Sequence, residues 1–322
     1  MTFAKMLFKT SLAVGATLGT LALINKVTET MAGELDTVLT GEERRYSWKY
    51  GDLFYKVQGA RDAKPLVLIH SLSPGASSYE WRKNVDTLAE QFRVYTLDLL
   101  GFGLSDHPGV DYDAELYADL ISDFVKETVK QPAIIVAHGL TSAYVIAAAY
   151  RHPHLCERLV LVEPSPIMLE EAYPGPLNSL CKLLLRTPIV GQCLYNLLTS
   201  RQAIRGYYDT QGYHNPGLIT DELVEYLYTS ARQPHSRFAI ASLLSGYLNL
   251  GVQGPLSRLQ TPVVIIWGRE SRLMPSEACA AFKRVNADIV VHIIDKASLH
   301  VQDEQAGQFN NLLREFARTA VR

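Results

Sequence analysis

Ile134–Tyr144, "IIVAHGLTSAY", joins an apolar run to a helical pattern through one break at Gly139. "AIIVA" is continuously apolar, as expected of a strand buried on both faces. "SAYVIAAAYRH" repeats its apolar residues at helical spacing. A strand turning sharply into a helix can present a nucleophile above a parallel sheet, provided the residues two before and two after are small. Laid on this chain, that pattern reads Ala137-His138-Gly139-Leu140-Thr141, and the helix ending in "YRHP" fixes the register. Glycine therefore stands where a serine is expected. Glycine has no side chain to act as a nucleophile, and it tolerates the positive φ of such a turn. Moving the nucleophile to Thr141 keeps small neighbours in Gly139 and Ala143, but lengthens the strand and shortens the helix. Ser142 would have Leu140 and Tyr144 as poor neighbours.

Working outward, the same alternation recurs. "RRYSWKYGDLFYKVQG" gives two alternating runs around Tyr50-Gly51-Asp52, a hairpin signal. "PLVLIH" and "RVYTLDLL" read as buried strands, and "SSYEWRKNVDTLAEQF" between them carries Trp81, Val85 and Leu88 at helical spacing. "DAELYADLISDFVKETV" is an amphipathic helix with Asp113 as its cap. "RLVLVEP", "PVVIIWG" and "DIVVHIID" are further strands, with helices from Pro275 and after Asp303. Alternating strands and helices imply an α/β fold with a mostly parallel sheet. Residues 165–255 break the rhythm once. They are helical in pattern, rich in Leu and Tyr, and read as a cap over the carboxyl ends of the strands. The expected organisation is a hydrophobic segment at 1–26, a tether at 27–44, a core at 45–164 and 256–322, and the cap at 165–255.

Composition excludes some classes. With 31 basic and 33 acidic residues among 322, the chain has no nucleic-acid character. Cys156, Cys181, Cys193 and Cys279 are scattered, with no CxxC pair, which argues against a metal site or a disulfide framework. No cofactor motif is present. Thr10–Asn25, "TSLAVGATLGTLALIN", carries no charge and lies between Lys5, Lys9 and Lys26. It reads as an N-terminal membrane anchor, with a cleaved signal peptide and consequent secretion, or an amphipathic surface helix, as the alternatives. As an anchor it makes the membrane an expected partner, with the main domain on the far side by the charge bias of its flanks.

Six segments in order, "LIHSLSPGASSYEW", "DLLGFGLSDHP", "IIVAHGLTSAYVIAAAYRHP", "LVLVEPSP", "PVVIIWGRESRLMP" and "ASLHVQDE", resemble the α/β-hydrolase superfamily in its capped branch of esterases, haloalkane dehalogenases, epoxide hydrolases and C–C bond hydrolases. The resemblance covers about residues 45–320. It implies that His300 is the catalytic base by descent, following the strand "DIVVHIID". It implies an acid after "VVIIWG", where Ser271 now stands with Glu270 one residue early. The other acid position of the superfamily holds Glu163, expected here as the partner of His300 and as a group that raises its pKa. Backbone N–H groups of Leu72 and Leu140 would form the oxyanion hole. His70 is expected to bond loop backbone, and Tyr207, Tyr208 and Tyr213 to pack the cap or line the pocket. Dehalogenase and epoxide-hydrolase chemistry both need Asp at position 139 and do not fit.

The function expected is therefore that of a hydrolase-fold protein with Gly139 at the nucleophile position. It would be a degenerate or altered-mechanism relative of esterases and lipases, binding a small apolar or amphipathic molecule under the cap. The alternative is a hydrolase or lyase using His300 with Glu163 as a general base, without a covalent serine intermediate.

Overall fold

In the computed structural model, which describes residues 3–165 and 174–318 with side chains from Thr17 onward, the eight strands form one sheet in the order β1-β2-β4-β3-β5-β6-β7-β8. β1 (Glu42–Trp48) and β2 (Gly51–Gln58) are the expected hairpin, and β2 runs antiparallel to β4 (Phe92–Leu97). From β4 onward all neighbours are parallel: β3 (Lys64–Ile69), β5 (Ala133–His138), β6 (Cys156–Val162), β7 (Val263–Gly268) and β8 (Val290–Ile294).

The continuous apolar strands follow from burial of both faces. Alternate residues point to opposite sides, so Val67, Ile69, Ile135, Leu161 and Ile265 join one apolar cluster. Their neighbours Leu66, Leu68, Val136, Val160 and Ile266 join the other. The helices α1 (Phe3–Met31), α2 (Val85–Ala89), α3 (Ala114–Phe124) and α4 (Thr141–Arg151) precede β6. Between β6 and β7 lie α5 (Pro176–Arg186), α6 (Val190–Leu198), α7 (Arg201–Tyr207), α8 (Asp221–Ala231), α9 (Arg237–Leu244) and α10 (Gln253–Arg258). α11 (Cys279–Val285), α12 (Val301–Glu304) and α13 (Ala306–Arg318) complete the chain. Tyr117 and Leu120 of α3 cover the first face, and Phe309 and Leu313 of α13 the second. Asp113 caps α3 by accepting from the Leu116 N–H at 2.8 Å.

After β3 the chain passes to β4 on one side, and later to β5 on the other. Such a reversal opens a crevice at the carboxyl ends of the two strands, where open α/β sheets bind ligands. Leu72 follows β3, and Gly139 and Leu140 follow β5, so the topology sets them at that crevice.

Two sequence expectations need correction. "SSYEWRKNVDTLAEQF" is not one helix; it forms a 3-10 turn at Ser78–Trp81 followed by the short α2, although Trp81, Val85 and Leu88 are all buried. The N-terminal segment does form a helix, but among the described residues no helix is long and apolar enough to cross a membrane. The uncharged run is short of the roughly 20 apolar residues a span needs, and Gly, Ala and Thr dilute its hydropathy. The transmembrane reading thus has no support among the described residues, and residues 10–16 of the uncharged run lie outside those whose side chains are described. The flanking Lys5 and Lys9 lie outside the residues whose side chains are described, as do residues 166–173 of the expected cap. The end of α1 docks on the cap instead. Asn25 Nδ2 donates to the Ile189 carbonyl at 2.9 Å, Asn196 Nδ2 donates to Asn25 Oδ1 at 3.0 Å, and Thr229 Oγ1 donates to the Ala32 carbonyl at 3.1 Å.

Candidate active site

β5 ends at His138 and α4 begins at Thr141. Gly139 makes the turn between them with φ +66°, a conformation that costs other residues energy. Its N–H donates to the Val162 carbonyl at 2.9 Å, which ties the turn to β6. A Cβ built on Gly139 would meet only the Ser71 Cβ, at 3.7 Å, an ordinary van der Waals distance. The two hydroxyls that follow in the chain turn away. Thr141 Oγ1 donates to the carbonyls of His138 (2.7 Å) and His70 (3.2 Å), and Ser142 Oγ donates to that of Ala137 at 3.3 Å. Both are fully buried.

One cavity of about 230 Å³ is lined by Leu72, Gly139, Leu140, Glu163 and His300, with His138 and Tyr207 also on its wall. The crevice thus brings together all five residues singled out in the sequence. Leu72 and Leu140 border it through the loops that the oxyanion reading requires.

His300 follows β8 in the loop before α12, and its N–H donates to the Gly212 carbonyl at 3.3 Å. Its ring forms a three-ring cluster with the cap tyrosines: Tyr208 at 5.1 Å and 12° between planes, Tyr213 at 5.3 Å and 26°. The Tyr213 hydroxyl donates to Asp303. Cap and core therefore meet on this histidine. Burial, and then the neighbouring His138 ring, push its pKa down to about 4, so it is neutral at pH 7. Its Nε2 is buried without a hydrogen-bond partner among the described residues.

Glu163 directly follows β6 with φ +43°, an outlier for a residue with a side chain. Oε1 accepts the Gly268 N–H at 2.6 Å, and Oε2 accepts from Ser271 Oγ at 3.0 Å. Burial pushes its pKa up to about 9 despite these two donors. The carboxyl is therefore protonated at neutral pH. No hydrogen bond joins it to His300 among the described residues, and the expected upward shift of His300 is replaced by a downward one. Glu163 is engaged by donors at the end of β7, and burial together with the His138 ring sets the downward sign at His300. Glu270 faces elsewhere, its Oε2 accepting from the Ala297 N–H at 3.1 Å.

The carboxylate beside the histidines is Glu80, which the sequence reading left without a role. Glu80 Oε1 accepts from His138 Nδ1 at 2.6 Å and from Gln302 Nε2 at 3.1 Å. Oε2 accepts from the Ser71 N–H at 3.1 Å and Ser71 Oγ at 2.6 Å. Burial alone would raise its pKa, but the attraction and hydrogen bond of His138 outweigh this and hold it at about 2. The His138 and His300 rings meet edge to face at 5.2 Å and 74°, and His138 Nε2 is also buried without a partner among the described residues. Glu80, His138 and His300 each offer a potential metal-ligand atom within 4.8 Å of the others. Both oxygens of Glu80 are already engaged, so the trio reads as a carboxylate–imidazole pair beside a second imidazole. The available signal was a glutamate between two buried aromatics, Tyr79 and Trp81, and a histidine inside a strand that is otherwise wholly apolar. His70 bonds loop backbone as expected: its Nε2 accepts the Leu99 N–H at 3.0 Å, leaving Nδ1 to donate to the Ser71 carbonyl at 2.6 Å.

Comparison with known proteins agrees with the fold. The chain is 24% identical over 266 residues to 2-hydroxymuconate semialdehyde hydrolase of Pseudomonas sp. strain CF600, covering 80% of this chain and 87% of that one. It is 24% identical over 281 residues to epoxide hydrolase 3 of Xenopus tropicalis, covering 83% and 75%. The crystal structure of a serine hydrolase involved in carbazole degradation superposes with a TM-score of 0.71 at 21% identity, over 86% of this chain and 99% of that one. The family described as alpha/beta hydrolase fold matches residues 64–312, and with its sheet order, elbow turn and crevice this chain belongs to that family.

Proposed function

We propose that this hydrolase-fold protein binds a small apolar or amphipathic molecule in the cavity above β5 and does not form an acyl-enzyme, because Gly139 holds the nucleophile position. The observation that carries this reading is the glycine at φ +66° between β5 and α4, with both neighbouring hydroxyls turned into carbonyls of the strand end and adjacent loop. The cavity, about 230 Å³, is near the lower end of small-molecule sites. Loss of a triad serine typically costs about 10⁶ in turnover while binding persists. The test is incubation with p-nitrophenyl butyrate. Saturable binding without a burst of nitrophenolate supports the reading. A stoichiometric burst overturns it.

A second reading, general-base chemistry without a covalent intermediate, is favoured by the two buried Nε2 atoms of His138 and His300. In this reading Glu80 orients His138, and either imidazole removes an acidic C–H proton from the ligand. Glu163, protonated at neutral pH, supplies no charge to it. Deuterium exchange into 2,4-pentanedione, accelerated by wild type but not by His300→Ala or His138→Ala, would select this reading. Exchange at the uncatalysed rate would leave binding alone.

A further inference from the structure

A second cavity, of about 280 Å³, lies between the end of α1 and the cap, away from the β5 crevice. Its wall includes Arg232 and Arg237, which flank the turn from α8 to α9, together with Lys26, Glu29, Gln192 and Asn196. We propose that this cavity is a binding site for a phosphate-type oxyanion, held by Arg232 and Arg237.

Both arginines are more than nine-tenths buried, and among the described residues neither is paired with a carboxylate. Arg232 donates to neutral acceptors only, the carbonyls of Thr199 at 3.1 Å and Asn196 at 3.0 Å and the Thr199 hydroxyl. Arg237 donates from Nη1 to Gln192 Oε1 at 2.7 Å. The Nε of each is buried with no acceptor. Their guanidinium planes lie against Tyr228 (4.2 Å) and Phe238 (4.6 Å), which fixes their orientation. Burying a cation without a counter-charge is unfavourable, and the guanidinium fork matches phosphate and carboxylate geometry. Burial accordingly lowers the pKa of both. An anion in the cavity would supply the missing charge.

The site is also built. Arg237 holds Gln192, Gln192 Nε2 donates to Asn196 Oδ1 at 3.0 Å, Asn196 Nδ2 donates to Asn25 Oδ1 at 3.0 Å, and Asn25 holds the Ile189 carbonyl. This chain of amides links α1 to both cap elements around the cavity. The one carboxylate on the wall, Glu29, is half-exposed and paired with Lys26 at 3.2 Å. The same two helices expose Leu23 and Val27 on α1 and Leu197 on α6, so the anion could be free phosphate or the headgroup of a phospholipid.

The experiment is isothermal titration of the full chain with inorganic phosphate, beside flotation with vesicles of phosphatidylglycerol or phosphatidylcholine, in wild type and Arg237→Gln. Arg237 is chosen because Arg232 also holds two cap carbonyls. Saturable phosphate binding weakened at least tenfold in the variant supports the site with free phosphate as ligand. Binding to phosphatidylglycerol but not phosphatidylcholine vesicles, lost in the variant, supports it with the headgroup as ligand. Where circular dichroism shows that Arg237→Gln is unfolded, Arg237→Lys takes its place and should weaken binding severalfold. No binding of either probe to wild type, or equal binding by a folded variant, overturns the proposal.

Discussion

Glu80 accepts the Nδ1 proton of His138 at 2.6 Å, although the two residues are 58 positions apart in the chain. This pair, not one between Glu163 and His300, is the carboxylate–imidazole contact at the crevice. It orients His138 with Nδ1 towards the acid, and leaves Nε2 without a partner.

Removing one partner of a buried pair strands the other. Glu80→Ala should therefore cost about 3–5 kcal/mol of stability, with Glu80→Gln costing less because the amide still offers an acceptor. Urea unfolding at pH 7 checks this, and a loss below about 1 kcal/mol for Glu80→Ala would show that the pair contributes little. The pH dependence has a definite sign. Glu80 is held at about 2, below its ordinary 4.5, so its stabilisation is present above pH 4.5 and is lost as pH falls towards 2. Glu80→Gln should remove that part of the acid sensitivity.

Glu163 carries the opposite sign. Its folded pKa is raised to about 9, so between roughly pH 4.5 and 9 the folded chain keeps a proton that the unfolded chain has lost. Stability should fall as pH rises through that window. Glu163→Gln, which keeps a neutral group bonded to Gly268 and Ser271, should flatten the fall and gain most at pH 9. Unfolding free energies at pH 5, 7 and 9 test it, and parallel curves for the two proteins would contradict it.

His300 should titrate well below an ordinary histidine, near 4, because it is buried and faces another imidazole. NMR titration of its ring should show little change in Glu163→Gln and an upward move in His138→Ala. A wild-type value at or above 6.5 would mean that a carboxylate, not His138, governs this ring. Since folded His300 resists protonation, it adds stability above pH 6.5 that is lost as pH falls through about 4.

Much of the fold was legible because the central strands are continuously apolar and each break carries its own chemistry. "PLVLIH", "AIIVA" and "VVIIWG" became β3, β5 and β7, and Asp113 became the cap of α3. The crevice residues were legible because they sit at fixed distances after strands: Leu72 after β3, Gly139 after β5, Glu163 after β6 and His300 after β8. The partners of those residues were not legible. Whether Glu163 faces His300 or the end of β7 depends on side-chain direction at a strained φ of +43°, which no spacing encodes. Glu80 was hidden because it stands in a 3-10 turn that the sequence presents as a helix, and it reaches His138 only once the fold sets that turn against β3 and β4. The N-terminal helix misled for a different reason. Its lack of charge signals a contact of some kind, and Asn25 is where its last turns meet the cap, while Leu23, Ile24, Val27 and Met31 stay exposed.

The most direct test is labelling with a serine-directed fluorophosphonate in wild type and Gly139→Ser. Wild type should not label, since Gly139 has no side chain and the hydroxyls of Thr141 and Ser142 are buried in bonds to backbone carbonyls. Gly139→Ser should label. The new Cβ meets only Ser71 at 3.7 Å, and its cost is the strain of φ +66°, about 1–3 kcal/mol. The added hydroxyl would open onto the cavity that His300 also lines, where a neutral imidazole can take its proton. Labelling of wild type at Thr141, Ser142 or any other residue of the crevice would contradict the central claim.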